Sequence, residues 1–332
     1  MDSTPWDWTA SDEALAARLV AEPLGADFFM GHPVGDLLSG RNGAPQDPAR
    51  YAHLFELASN RTTDPAMRLA CRVEEWNGRR RPPNAADHNT VATAYARIRD
   101  DLIQDLPSGQ FKYLLGASVC YNLGIVLRGL RHYREAGNSQ LASANYFMAA
   151  GRQEKAPVGL FLVAVEYTSD SITRDSSPEI AVQLAHLRQM RELVRATTEK
   201  YPLWMQENAT WHIWFAHLLA ERDYLEREDD RNELRSGTFP TAYASWKRLF
   251  QVSEIADPET QIAAADAALV APEVTLTSFA NVVLSLKLHK ARALKSLGRT
   301  DEARAVLTEV TSWTGVDGGV PMAVAARLLQ TL

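Results

Sequence analysis

The chain has 332 residues, 46% hydrophobic and 23% charged, proportions that allow a buried core and exclude a disordered polymer. Its 35 Lys and Arg against 41 Asp and Glu leave a net charge of −6, which argues against nucleic acid as the main partner, because such proteins carry a basic face. With 18 glycines and 16 prolines it is neither collagen-like nor a linker. The first twenty residues have no basic segment followed by an apolar one, so no secretory leader is expected there. The longest nearly apolar run, 157–165, is about half the ~20 residues of a membrane span. Two cysteines, Cys71 and Cys120, each inside an apolar helical pattern, read as buried reduced thiols of a cytoplasmic protein.

In chain order, residues 11–20 predict a short helix with Leu15, Ala16, Leu19 and Val20 on its apolar side. Glycines and prolines then crowd 21–46, which reads as a long loop with at most one turn of structure. Beyond it stand four start signals: Asp47-Pro48, Asp64-Pro65, Ser177-Pro178 and Asp257-Pro258. In each, a side-chain oxygen can accept an orphan backbone N–H, and proline loses nothing at the first helical position. Apolar stripes run from each start: Tyr51, Leu54 and Phe55; Met67, Ala70 and Val73, with Gly78 as terminator; Ile180, Leu184 and Leu187; Ile262, Ala265 and Leu269. Spacing alone predicts further helices over 85–105, 110–130, 139–150, 157–168, 203–228, 240–254, 275–297, 300–312 and 321–331. No turn dipeptide is flanked by alternating β-branched residues, so the fold class expected is all-α.

Two stretches carry a recognisable pattern. In 121–136, Leu123-Gly124, Leu127, Tyr133 and Ala136 are spaced as in a tetratricopeptide repeat, with Gly137-Asn138 expected to interrupt the second helix and Gln140 standing at a large apolar position. In 288–310, Ala291 and Ala303 take the small positions where two helices touch, Leu294 and Leu307 the large ones, and Gly298 the turn. Lys287 and Lys290 stand where the family has Trp and Leu. The chain therefore resembles a degenerate tetratricopeptide-repeat protein. The resemblance implies an α-α superhelix, or solenoid, of paired antiparallel helices, because one hairpin cannot bury its apolar face alone. The organisation expected is an N-terminal helix and Gly/Pro-rich loop over 1–46 and a helical-repeat domain over 47–332. Around 137–176 the irregular stretch either interrupts one solenoid or separates two lobes.

In that family the first helices of successive repeats line a concave groove. Carried over, the groove exposes Tyr121, Ile125 and Arg128 from one helix and Leu288, Arg292 and Lys295 from another. With Lys287 and Lys290 nearby, it fits an acidic segment or a C-terminal carboxylate of another protein or peptide. This reading is a non-enzymatic scaffold or adaptor with no catalytic residue, metal or cofactor, no nucleic-acid or membrane partner, and an oligomeric state left open.

The second reading is an all-α enzyme. Asp100, Asp101 and Asp105 resemble the aspartate-rich motif of terpene synthases, but no second metal motif accompanies them. His217 and Glu221 lie one helical turn apart, yet a di-iron centre needs Glu-x-x-His pairs on other helices, and none occurs. Trp204, Trp211, Trp214 and Phe215 form a dense aromatic group beside His212, fitting either a core or a ligand pocket. Arg79-Arg80-Arg81 reads as a solvated basic loop or as a contact for an anion. Walker-type loops, Gly-x-Ser-x-Gly, His-Glu-x-x-His and Cys-x-x-Cys are absent.

Overall fold

A computed structural model describes residues 6–21, 33–39, 44, 46–81, 86–196, 244–275, 280–315 and 318–332. All regular structure in the described residues is helical, and none of their helices is long and apolar enough to cross a membrane. Helices α1 to α5 span Asp12–Ala21, Asp36–Ser39, Pro48–Arg61, Pro65–Arg79 and His88–Asp105. Next come α6 (Gln110–Gly129), α7 (Tyr133–Ala149), α8 (Ala156–Thr173) and α9 (Ser177–Ala196). Beyond the undescribed stretch 197–243 lie α10 (Ala244–Ser253), α11 (Pro258–Leu269), the short α12 (Pro272–Thr275), α13 (Ala280–Ser296), α14 (Thr300–Thr311) and α15 (Gly319–Gln330).

Three of the four start signals form the caps expected of them, and the fourth helix begins at Ser177 itself. Asp47, Asp64 and Asp257 accept the backbone N–H of Arg50, Ala66 and Thr260, each with proline in the first turn. A further cap has no proline to mark it: Asp87 opens α5 by accepting from the N–H groups of Asn89 and Thr90. Helix ends are closed from a distance as well. The Lys112 ammonium donates to the carbonyls of Ile103 (2.9 Å) and Leu106 (2.6 Å) at the end of α5. Two glycines behave differently from expectation. Gly78 lies inside α4 rather than ending it, because a Cβ there would stand 2.9 Å from Ala52 Cβ and from the Pro48 carbonyl on α3. Gly137 does not interrupt α7, which runs unbroken through it; a Cβ at 137 would stand 2.5 Å from the Tyr167 ring.

The chain divides into two compact units, Met1–Leu127 with Asn138–Gly159 and Arg128–Gly137 with Leu160–Leu332. In the first, Leu15 and Leu19 of α1 share a core with Leu54 and Phe55 of α3 and Ala70 of α4. Arg50 binds Asp12 (2.8 Å) and the carbonyls of Trp8 and Ala10. The N-terminal helix is thus packed as part of this unit, its apolar face buried against α3 and α4. Val73, Val91, Tyr95, Ile98, Leu115 and Val119 continue the interior across α4, α5 and α6.

In the second unit, Leu184 and Leu187 of α9, Trp246 and Leu249 of α10, Val282 and Leu286 of α13 and Val324 of α15 form the core. Helices α13 and α14 pack as a hairpin, with Ala291 and Ala303 at or below 1% exposure. Gly298 has φ +73°, and the turn closes with Arg299 N–H on the Leu294 carbonyl and Gly298 N–H on that of Lys295. That bond pair is the Schellman closure, which places a left-handed residue where glycine has no Cβ penalty.

Candidate functional site

The six residues expected to line a groove meet different fates. Tyr121 is half-buried on α6, and burial pushes its hydroxyl above the usual tyrosine range. Its carbonyl accepts from the Gln140 amide at 3.2 Å. Ile125, one turn on, is also half-buried. Arg128 is committed inward: its Nη1 lies 3.3 Å from Oε1 of Glu166, whose side chain is 2% exposed. On α13, Leu288 is 2% exposed and belongs to the core of the second unit, so it lines no open surface; the apolar face that packs on neighbouring helices takes it in.

The basic residues of α13 are largely matched within the unit. Lys287 pairs with Glu309 of α14, and Lys290 with Asp266 of α11 at 2.6 Å. Lys295 donates to the hydroxyl of Thr331 at 2.7 Å, a neutral acceptor that leaves its charge uncompensated by that contact. Arg292, one turn before it, is half-buried. The α5 carboxylates do not converge either. Asp100 binds the neighbouring Arg99, and Asp101 takes Arg72 of α4 at 2.5 Å. The aromatic and histidine group at 204–221 lies outside the described residues. Among the described residues no three His, Cys, Asp or Glu side chains gather as a metal site would need.

The structure assembles instead a polar cluster in the interior of the first unit, around Glu74 of α4. Tyr51 OH donates to Glu74 Oε2 at 2.6 Å, and the Asn77 amide donates to the same oxygen at 3.1 Å. Asn77 Oδ1 in turn accepts from Tyr95 OH (2.9 Å) and Arg80 Nε (3.3 Å), while Arg80 Nη2 reaches Asn122 Oδ1 at 3.2 Å. Burial lifts the Glu74 carboxyl above its ordinary range, against the lowering effect of the Tyr51 and Asn77 hydrogen bonds and of Arg80 and Arg81. Burial also raises Tyr51 and Tyr95, and it lowers Arg81, which stands beside the like charge of Arg80. The basic triplet is thus partly built into the fold: Arg79 pairs with Glu75 (2.8 Å) and Glu56 (3.1 Å), and Arg80 serves the amides. Arg79 and Arg81 also line a cleft of about 180 Å³ between α3 and the end of α4. A sequence signal for this cluster existed: Glu74 falls on the buried stripe of Met67, Ala70, Cys71 and Gly78, where a carboxylate needs partners.

Neither cysteine is a reactive thiol. Burial pushes Cys71 up to about 12 and Cys120 up to about 11, which suppresses the thiolate. No family model, no curated protein and no solved structure matches this chain.

Proposed function

We propose that the chain is a helical-repeat protein of tetratricopeptide-like architecture that binds an acidic segment of another protein, acting as a scaffold or adaptor. The observation that carries the reading is the α13–α14 hairpin. Two helices pack on each other, Ala291 and Ala303 are both buried, Ala303 in one cluster with Ala293 and Leu294, and a left-handed Gly298 turns the chain between the helices, which supports a stacked helix pair. Lys295 is the contact residue on which this reading rests, because it meets a neutral hydroxyl, whereas Lys287 and Lys290 already face carboxylates; Arg292 lies one turn before it on the same helix.

The test is capture of the partner from native extract by wild type and by Arg292→Glu/Lys295→Glu, with circular dichroism of both. Loss of capture with an unchanged fold is the expected outcome. Capture at wild-type strength removes α13 from the binding surface and the reading with it.

A further inference from the structure

In the second unit a cleft of about 380 Å³ opens between the α6–α7 turn and the ends of α8, α14 and α15. Arg131, Tyr133, Thr173 and Thr311 give its polar wall, and Met322 and Ala323 part of its apolar floor. Arg131 is the charged residue of that lining, and among the described residues no carboxylate shares it. Its Nη2 donates to the carbonyl of Gly315 at 3.1 Å, with that of Trp313 at 3.5 Å, so its positive charge meets neutral acceptors there. Arg131 also has φ +68°, a conformation that costs any residue with a Cβ and that the fold keeps with an arginine rather than a glycine. The threonine hydroxyls have already committed their protons: Thr173 donates to the carbonyls of Ser169 or Asp170, and Thr311 to that of Thr308. What they still offer a ligand is lone pairs.

We propose that this cleft binds a small organic carboxylate with an apolar body and an N–H donor, the carboxylate on Arg131, the donor on Thr173 or Thr311, and the apolar body on Met322 and Ala323. A single guanidinium balances a monoanion and leaves half the charge of a phosphate dianion unmatched, which favours a carboxylate. The site is separate from Arg292 and Lys295 and does not depend on the protein-binding reading.

N-acetyl-leucine has these three features and serves as the probe, titrated into the full chain by ligand-observed NMR. Saturable binding within about 10 mM is expected, with N-acetyl-leucinamide, which lacks the charge, weaker by about 10-fold or more. Arg131→Gly removes the guanidinium while suiting the positive φ, so it keeps the fold and loses binding by a similar factor. Ala323→Phe fills the floor and blocks binding with Arg131 intact. No saturation by any probe, equal binding of acid and amide, or wild-type affinity in either variant overturns the proposal. If a peptide ending in leucine binds far more tightly than the acylated amino acid, the occupant is a protein C-terminus and the small-molecule assignment fails.

Discussion

At the residue scale, the buried charges decide what can be changed. Arg128 and Glu166 are 19% and 2% exposed, so removing the arginine takes a charge partner from an interior carboxylate. Arg128→Ala is expected to cost about 3–5 kcal/mol in chemical denaturation, and Arg128→Ala/Glu166→Gln to recover much of it. Glu74 behaves in the opposite sense. Its carboxyl is held above 4.5, so the folded chain holds the proton more tightly than the unfolded one. Wild-type stability therefore falls as pH rises from about 4.5 through that raised value, and Glu74→Gln, which still accepts from Tyr51, lacks the fall. Denaturation midpoints for the pair, measured from pH 4 to 8, should diverge in favour of the glutamine as pH rises. Asp87 supplies the contrasting sign. Hydrogen bonds from the Thr90 hydroxyl and the N–H groups of Thr90 and Asn89 hold it at about 2. Its stabilisation is present above the ordinary aspartate value and vanishes as pH drops through about 2, where wild type and Asp87→Ala should converge.

At the scale of elements, close approach outweighs propensity. Glycine inside a helix normally gains about 1 kcal/mol on replacement by alanine. At Gly78 the new Cβ would meet backbone of α3 at 2.9 Å, which no rotamer change relieves. Gly78→Ala should lower the melting temperature, reversing the usual sign. In the C-terminal hairpin a Cβ at Gly298 meets nothing within 4 Å, so only the backbone conformation opposes a side chain. Gly298→Leu should cost about 1–2 kcal/mol. Ala303 is fully buried beside Ile262 and Leu294, where Ala303→Trp forces backbone shifts of roughly 1–3 kcal/mol or more and should be the worse of the two in thermal melts. The Asp-Pro starts and the Ala-Gly-Ala hairpin are legible in the sequence because caps and turns are local events. Gly78 and Gly137 look like breakers along the chain because the reason for each lies on another helix, at Ala52 and Tyr167.

At the scale of the whole molecule, a net charge of −6 repels an acidic partner, so any attraction must be local to a few cations. Capture through Arg292 and Lys295 should weaken as salt rises from about 50 to 500 mM, because the Debye length shrinks from over about 10 Å to about 4 Å and screens exposed charges. By itself the sequence determined the helical class and most helix positions, since a 3.6-residue apolar period and capping oxygens act within a few residues. It also marked Gly298 as a turn, which its positive φ bears out, and Ala291 and Ala303 as positions that are both buried. Only the tertiary structure decided which charges are available. Arg128 turned inward to Glu166, Lys287 and Lys290 found Glu309 and Asp266, and Leu288 went into the core. It also gathered Tyr51, Glu74, Asn77, Arg80 and Tyr95 from three helices into one network. The bonds of that network that join different helices span 18 residues (Tyr95–Asn77), 23 (Tyr51–Glu74) and 42 (Arg80–Asn122), and no local spacing rule reports which face of a helix a distant segment will cover.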